Sequence, residues 1–141
     1  MTDGSKPGDV WDYPYLWARQ ARAGETEGRK TRPVAIAVIV ETGGGRTGVV
    51  LLAITSQPPG ADTDALEVPE TECRRAGLAV DRPLWVVLDE HNTDVAETSY
   101  YLEPAARIGA FGSRFRKQMQ AAFAAALRAR RTRTVRRGDD A

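Results

Sequence analysis

The fold of this chain is decided by the stretch KTRPVAIAVIVETGGGRTGVVLLAITS, residues 30–56. It contains two apolar runs, VAIAVIV at 34–40 and VVLLAIT at 49–55, with TGGG at 42–45 between them. A near-continuous run of β-branched residues is typical of a strand buried on both faces. Glycines between two such runs mark a reversal of the chain. We therefore predict a β-hairpin.

Shorter extended segments are predicted on both sides of this hairpin. Residues 8–15 (GDVWDYPY) are rich in aromatic side chains, which indicates a first strand. Three further β-like segments follow the hairpin: LEVP at 66–69, LWVVL at 84–88 and SYYL at 99–102. Two other stretches lack this pattern: residues 16–29, predicted as a loop with one helical turn around 17–23, and residues 70–76, predicted as one or two helical turns stopped by Gly77.

An amphipathic helix is predicted to begin at Ser113, a suitable N-cap residue. Apolar side chains recur there every fourth position, with two alanines beside them: Phe115, Met119, Phe123, Leu127, Ala122 and Ala126. This spacing is typical of a packing face, against the sheet or a second subunit. Short strands that are not separated by helices, followed by one terminal helix, predict a mainly β fold, a small barrel or sandwich.

The length of 141 residues suits one domain. We place this domain at 7–131, after a disordered start at 1–6 and before a disordered basic tail at 132–141. Net charge is only +1, but ten Lys and Arg residues stand from Arg107 onward against two acids. A basic end of this kind attracts polyanions such as RNA, although a solvated tail is the plainer interpretation.

Several classes of protein are excluded by what the sequence lacks. With Cys73 as the one cysteine, an internal disulfide is impossible, which fits a reducing cytoplasm. The first ten residues carry no apolar signal core, and the longest apolar run, 34–40, is too short to cross a bilayer. We expect a cytoplasmic protein with no membrane partner.

Familiar catalytic and cofactor motifs are also missing. There is no P-loop, GxGxxG, HExxH or GxSxG sequence. Asp89, Glu90 and Asp94 cluster near His91, yet without any established ligand spacing, and His91 is interpreted as a solvated loop residue. We predict no cofactor and no metal site.

A set of short motifs, in order along the chain, carries a resemblance. PGDVW at 7–11 begins the first strand, KTRP at 30–33 leads into the second, and AITS at 53–56 ends the third. RPLWVVLDEHN follows at 82–92. Over residues 7–127 the chain resembles the MazF/PemK toxins of toxin–antitoxin systems, and its PemK-like branch in particular. Three features depart from the family pattern: Ala53 where a proline is frequent, a longer loop at 16–29, and no basic residue at 93–98.

The resemblance implies a small SH3-like β-barrel with short helices and a C-terminal amphipathic helix, usually a homodimer. It implies a toxin that cleaves single-stranded RNA without metal and is inhibited by a cognate antitoxin with an acidic tail. The family's site arginine and threonine correspond to Arg32 and Thr55, and its nearby acid to Asp89, with Glu90 as the alternative match. The remaining residues predicted to bind RNA are Lys30, Ser56, Tyr15, Trp17 and Glu90.

The chemistry of these residue types suits RNA cleavage by the ribose 2′-hydroxyl. The planar guanidinium of Arg32 can donate two parallel hydrogen bonds to phosphate oxygens. It can thereby stabilise the extra negative charge of the transition state, and electrostatic stabilisation of this kind dominates many active sites. The hydroxyl of Thr55 can donate to a phosphate oxygen, and Asp89 is a conventional base. Tyr15 and Trp17 could stack on a base.

Plainer interpretations stand beside these. Arg32 could pair with a surface acid, and Thr55 with Ser56 could cap a turn. The alternative function is a non-catalytic RNA- or protein-binding module of the same fold. A gyrase-directed toxin is a third interpretation, with no terminal aromatic motif to support it.

Overall fold

The predicted hairpin is the longest feature of the sheet. In the structure, a computed structural model that describes residues 5–26 and 30–137, strands β2 and β3 pair antiparallel from Val34 opposite Ala53 to Gly43 opposite Arg46. All three turn glycines, 43–45, have positive φ angles between 62° and 87°. Only glycine adopts such angles without steric cost, so the GGG sequence fixes where the hairpin turns.

Eight strands and three helices make up the described chain, with one 3-10 turn at Pro104–Ala106. In chain order they are β1 (Asp9–Tyr13), α1 (Ala18–Arg22), β2 (Arg32–Gly43), β3 (Arg46–Thr55), β4 (Ala65–Glu67), α2 (Glu70–Arg75), β5 (Trp85–Val87), β6 (Glu90–Val95), β7 (Arg107–Ala110), α3 (Ser113–Arg128) and β8 (Arg133–Arg136). The mainly β class with short helices and a C-terminal amphipathic helix is confirmed.

Strand β3 organises the sheet because it has neighbours on both edges. One edge pairs with β2, and the other is divided between two strands. Residues 48–51 pair with β6, whereas Ile54 and Thr55 pair with β5. The main strand order is β4-β5-β3-β2-β1-β7, and β8 adds to β6 in parallel. Strands β5 and β6 are both antiparallel to β3 and only two residues join them, so they follow one another along the same edge of β3.

Both faces of this sheet are buried, as the apolar runs predict. Successive side chains of a strand point to opposite faces. Val10 and Leu52 pack with helix α3, through Phe115 and Met119 among others. Their chain neighbours Trp11 and Leu51 pack into a second core on the opposite face, with Tyr13, Tyr15 and Leu102.

Helix α2 connects the two ends of the main strand order. Two residues separate it from β4, and its far end lies against β7, where Gly109 meets the backbone of Ala76. The carboxylate of Glu72 accepts a 2.7 Å hydrogen bond from the N–H of Gly112. Between the described residues, β4 and β7 form no hydrogen-bonded pair, so α2 links these edges instead.

Replacing Gly109 by alanine is expected to destabilise the protein by about 1–3 kcal/mol, as overpacking does. A Cβ there would lie 2.4 Å from the carbonyl oxygen of Ala76, a backbone atom that cannot rotate away. Urea denaturation measures the change. The matched control is Gly60→Ala, whose Cβ would be 3.8 Å from Thr63 Oγ1. Equal stability of the two variants would contradict the contact between α2 and β7.

Four expectations on local structure need correction. Residues 99–102 form no strand, whereas β6 and β7 are strands that the sequence pattern did not reveal. The N-cap of α3 is Gly112, so Ser113 is the first helical residue. The tail expected to be disordered from 132 contains β8, with Val135 buried beside Leu16 and Ala18.

Other expectations concern the chain ends and the long loop. The predicted helical turn is confirmed as α1. Residues 1–4, 27–29 and 138–141 lie outside the described residues, and so do the predictions made for them. Among the described helices, none has both the length and the apolar character that a bilayer crossing requires.

Candidate functional site

Arg32 and Thr55, predicted from two separate motifs, line the same groove. The hairpin brings them together, because Val34 pairs with Ala53 and continuing this register by two residues places Arg32 opposite Thr55. The groove has a volume of about 230 Å³. Its lining residues are Arg32, Pro33, Ile54, Thr55, Ser56, Leu78, Ala79, Arg82 and Leu84.

Thr55 is half-buried, and its hydroxyl already accepts one hydrogen bond. The backbone N–H of Gln57 donates to Thr55 Oγ1 over 3.1 Å. This is the turn-capping role expected as a plainer interpretation, and it leaves the hydroxyl proton available to donate. Ser56 beside it is exposed, as is Lys30, which precedes β2. The end of β3 thus presents two hydroxyls to the groove.

Arg32 is half-buried with its guanidinium over the ring of Trp17, 4.9 Å from the ring centroid. Burial lowers the pKa of Arg32, and the nearby charge of Arg19 lowers it further. The plainer interpretation of Arg32 is a pair with a surface acid, but the ion pairs formed within 5–26 and 30–137 do not include Arg32. Because Arg32 is partly desolvated, an anion bound to it interacts more strongly than in bulk water.

Tyr15 and Trp17 differ in their access to a ligand. Tyr15 is only 1% exposed, and its hydroxyl lies 3.4 Å from Glu90 Oε1. Its ring meets that of Trp17 edge-to-face at 4.9 Å between centroids. Tyr15 is therefore a core residue rather than the base-stacking platform we predicted. Trp17 is half-buried, and the guanidiniums of Arg19 and Arg32 both lie over its ring.

Asp89 and Glu90 line a second concavity, of about 580 Å³, with Asp64, Arg131 and Arg133. Asp89 is half-buried in the turn between β5 and β6, and burial raises its pKa. Arg131 forms an ion pair with Asp64 at the rim. The groove that contains Arg32 and Thr55 is not lined by Asp89. A role for Asp89 as the base stays a prediction.

Glu90 has a structural partner that the sequence did not suggest. Its Oε1 accepts a 2.8 Å hydrogen bond from the N–H of Ala18, the first residue of α1, besides the contact with Tyr15. Burial raises the pKa of Glu90. The carboxylate therefore fixes the start of the helix that follows Trp17, although its charge is costly there.

Replacing Glu90 by glutamine is expected to flatten the pH dependence of stability above about pH 4.5, the ordinary value for a glutamate. A raised folded-state pKa means that the native protein holds the proton more tightly than the unfolded chain. Wild-type stability therefore falls as pH rises from the unfolded to the folded pKa. Glutamine keeps an acceptor oxygen for Ala18 but does not titrate. Urea denaturation between about pH 4 and pH 7 should show the free energy of unfolding of the variant rising relative to that of wild type as the pH rises. A difference in unfolding free energy that stays constant with pH would contradict this prediction.

His91 is buried, which corrects its interpretation as a solvated loop residue. It lies in β6, and its two ring nitrogens exchange hydrogen bonds with the hydroxyls of Thr132 (2.8 Å) and Thr134 (2.9 Å). Its ring meets Phe123 of α3 edge-to-face at 5.1 Å. Burial lowers the pKa of His91. The histidine thus fixes β8 to the body of the protein.

Two polar neighbours of His91 are also structural. Asn92 is fully buried and bonds to both backbone groups of Leu16. Asp94 accepts a 2.6 Å hydrogen bond from the Tyr13 hydroxyl, and burial raises the pKa of Tyr13. In the part of the chain that the structure describes, no three His, Cys, Asp or Glu residues are grouped as metal ligands.

No protein-family model matches this chain, and no curated protein matches it significantly. The motif resemblance to MazF/PemK toxins stays a prediction.

Proposed function

We propose that this protein is a toxin that acts as a metal-independent endoribonuclease, cleaving single-stranded RNA at the groove lined by Arg32 and Thr55. One observation carries the proposal. Two residues taken from separate motifs, Arg32 at the start of β2 and Thr55 at the end of β3, line one small groove. The two motifs lie on different strands, and the register of the hairpin brings them to the same end of the sheet.

The composition of the groove favours a phosphate ligand. Of its nine lining residues, two are arginines, two carry hydroxyls and none is a carboxylate. Arg32 offers the planar fork of donors that matches two phosphate oxygens. Arg82 is exposed and paired with Asp81 at 3.2 Å, so its charge at the rim is partly neutralised.

In the proposed reaction the ribose 2′-oxygen attacks the adjacent phosphorus. The new bond between O2′ and phosphorus forms as the bond to O5′ breaks, which leaves a 2′,3′-cyclic phosphate and a 5′-hydroxyl. Arg32 stabilises the extra negative charge on the phosphate oxygens, the kind of help that lowers barriers most. Thr55 donates its hydroxyl proton in a hydrogen bond to one of these oxygens. A base takes the 2′-hydroxyl proton, and O5′ receives a proton from an acid.

A second candidate function is a non-catalytic RNA-binding module. The observation that favours it is the position of Asp89, which lines the neighbouring concavity rather than the groove. A groove that holds phosphate but lacks a nearby base would bind RNA and leave it intact.

The remaining proposals concern partners and cellular context. We propose that the toxin works in the cytoplasm as a homodimer and that an antitoxin with an acidic tail blocks its basic groove. Sedimentation at micromolar concentration should give the mass of two chains. A mass of one chain would contradict the dimer without affecting the groove.

The experiment that tests the function uses purified protein and a mixed-sequence RNA in EDTA. We expect cleavage, with 2′,3′-cyclic phosphate and 5′-hydroxyl ends. A 2′-O-methylated RNA of the same sequence should be bound but not cut, since its O2′ cannot attack. Binding of the natural RNA without cleavage would favour the module instead. No binding of either RNA would contradict both functions.

A further inference from the structure

Two positive charges converge on one aromatic ring beside the proposed site. The guanidinium carbon of Arg32 lies 4.9 Å from the centroid of Trp17, and that of Arg19 lies 5.3 Å from it. Arg32 begins β2, whereas Arg19 belongs to α1, thirteen positions earlier in the chain. Each contact is a favourable cation–π interaction, but together they place like charges close to each other.

The two charges influence each other electrostatically. The charge of Arg19 lowers the pKa of Arg32, second only to burial as a cause. The ion pairs formed within residues 5–26 and 30–137 include neither arginine. The carboxylate of Glu90 interacts electrostatically with Arg19, but it accepts its hydrogen bonds from Ala18 and Tyr15. An anion bound by both guanidiniums would relieve their repulsion.

The ring that both guanidiniums contact is itself held in place. Trp17 is fixed by the edge of the Tyr15 ring and by the hydrogen bond from its backbone N–H to Gln20 Oε1, 3.1 Å long. Arg32 pairs with Tyr13 across β1 and β2. Arg19 is exposed at the first turn of α1, so a ligand can reach it.

We propose that Arg19 and Arg32, both held on Trp17, form a clamp for a backbone phosphate of single-stranded RNA. This rests on the proposed function and deepens it, because it adds Arg19 to the site and gives Trp17 a different task. The indole supports two guanidiniums rather than an RNA base. A phosphodiester has two non-bridging oxygens, so each arginine can bind one of them.

The clamp predicts how the RNA is held. Contacts to phosphate position a strand without reading its sequence. The clamp therefore sets where the chain enters the groove of Arg32 and Thr55. Base preference has to come from other residues.

The test measures binding of an eight-nucleotide 2′-O-methylated RNA of mixed sequence over a range of salt concentrations. Each lost phosphate contact on a single strand should reduce the slope of log Kd against log salt by about 0.7. We expect this reduction for Arg19→Gln and for Arg32→Gln. The matched control is Arg22→Gln, an exposed arginine at the last residue of α1, and it should leave the slope unchanged.

The outcomes separate this inference from the function. A reduced slope for Arg32→Gln with an unchanged slope for Arg19→Gln would overturn the clamp and leave the function standing. Equal losses for Arg19→Gln and Arg22→Gln would also overturn it, since they would indicate a diffuse basic surface. If the wild-type protein fails to bind the oligomer at low salt, both the clamp and the function are wrong.

Discussion

Replacing Asn92 by alanine is expected to lower the free energy of unfolding by about 2–5 kcal/mol, because two buried backbone groups lose their partner at about 1–3 kcal/mol each. Asn92 has no exposed surface. Its Oδ1 accepts a 2.9 Å hydrogen bond from the N–H of Leu16, and its Nδ2 donates to the Leu16 carbonyl over 2.8 Å. Urea denaturation followed by tryptophan fluorescence measures the loss.

The same substitution should also reduce RNA cleavage at temperatures where the variant stays folded. Leu16 is the residue between Tyr15 and Trp17, so its two hydrogen bonds to Asn92 fix the segment that carries the ring under Arg32. The matched control is Thr93→Ala, the next residue of β6, which is half-exposed and should cost less than about 1 kcal/mol. If both variants unfold at the same urea concentration, Asn92 does not have the structural role described.

Replacing Arg32 by alanine is expected to slow single-turnover RNA cleavage by at least about 100-fold, as loss of one donor to a developing oxyanion does elsewhere. Arg32→Lys should recover only a small part of the rate, since an ammonium keeps the charge but not the planar fork. Saturating protein makes the rate report on the chemical step. A folded Arg32→Ala variant, checked by denaturation, that cleaves as fast as wild type would contradict the site.

The sequence was sufficient for the hairpin and the terminal helix because their patterns are local. The runs at 34–40 and 49–55 are apolar on both faces, and the sheet is indeed packed on both faces. The four-residue repeat from Phe115 to Phe123 is the buried face of α3. In the helix these residues are separated by a few helical turns, and in the hairpin they lie on two strands that follow each other in the sequence.

Strand β6 was not predicted because its polar side chains form hydrogen bonds with residues that are far away in the sequence. Its sequence EHNTDV has no apolar alternation. His91 bonds to Thr132, 41 positions away, Asn92 to Leu16, 76 away, and Asp94 to Tyr13, 81 away. Polar side chains of this kind favour strands only when such partners are present, and a single sequence does not reveal them.

Strand β8 escaped prediction for a related reason. Its four residues RTVR are polar or charged apart from Val135, and a short basic stretch of that kind is typical of a solvated tail. Parallel pairing with β6 and the burial of Val135 against α1 give it structure.

The same distinction between local patterns and long-range packing applies to the candidate site. Arg32 and Thr55 could be placed together from sequence, since a hairpin with a known register pairs their positions. The separation of Asp89 from that groove and the approach of Trp17 to Arg32 depend on how β6 and α1 pack. The hydrogen bond from Ala18 to Glu90, which spans 72 positions, fixes that packing.

The central claim is that RNA cleavage takes place at the groove of Arg32 and Thr55 rather than in the concavity beside it. The most direct test compares single-turnover cleavage by Arg32→Ala and Arg133→Ala, two arginine deletions in the two neighbouring concavities. We predict that Arg32→Ala cleaves at least about 100-fold more slowly than wild type, whereas Arg133→Ala stays within a few-fold of it. A slow Arg133→Ala variant beside a fast Arg32→Ala variant would contradict the claim.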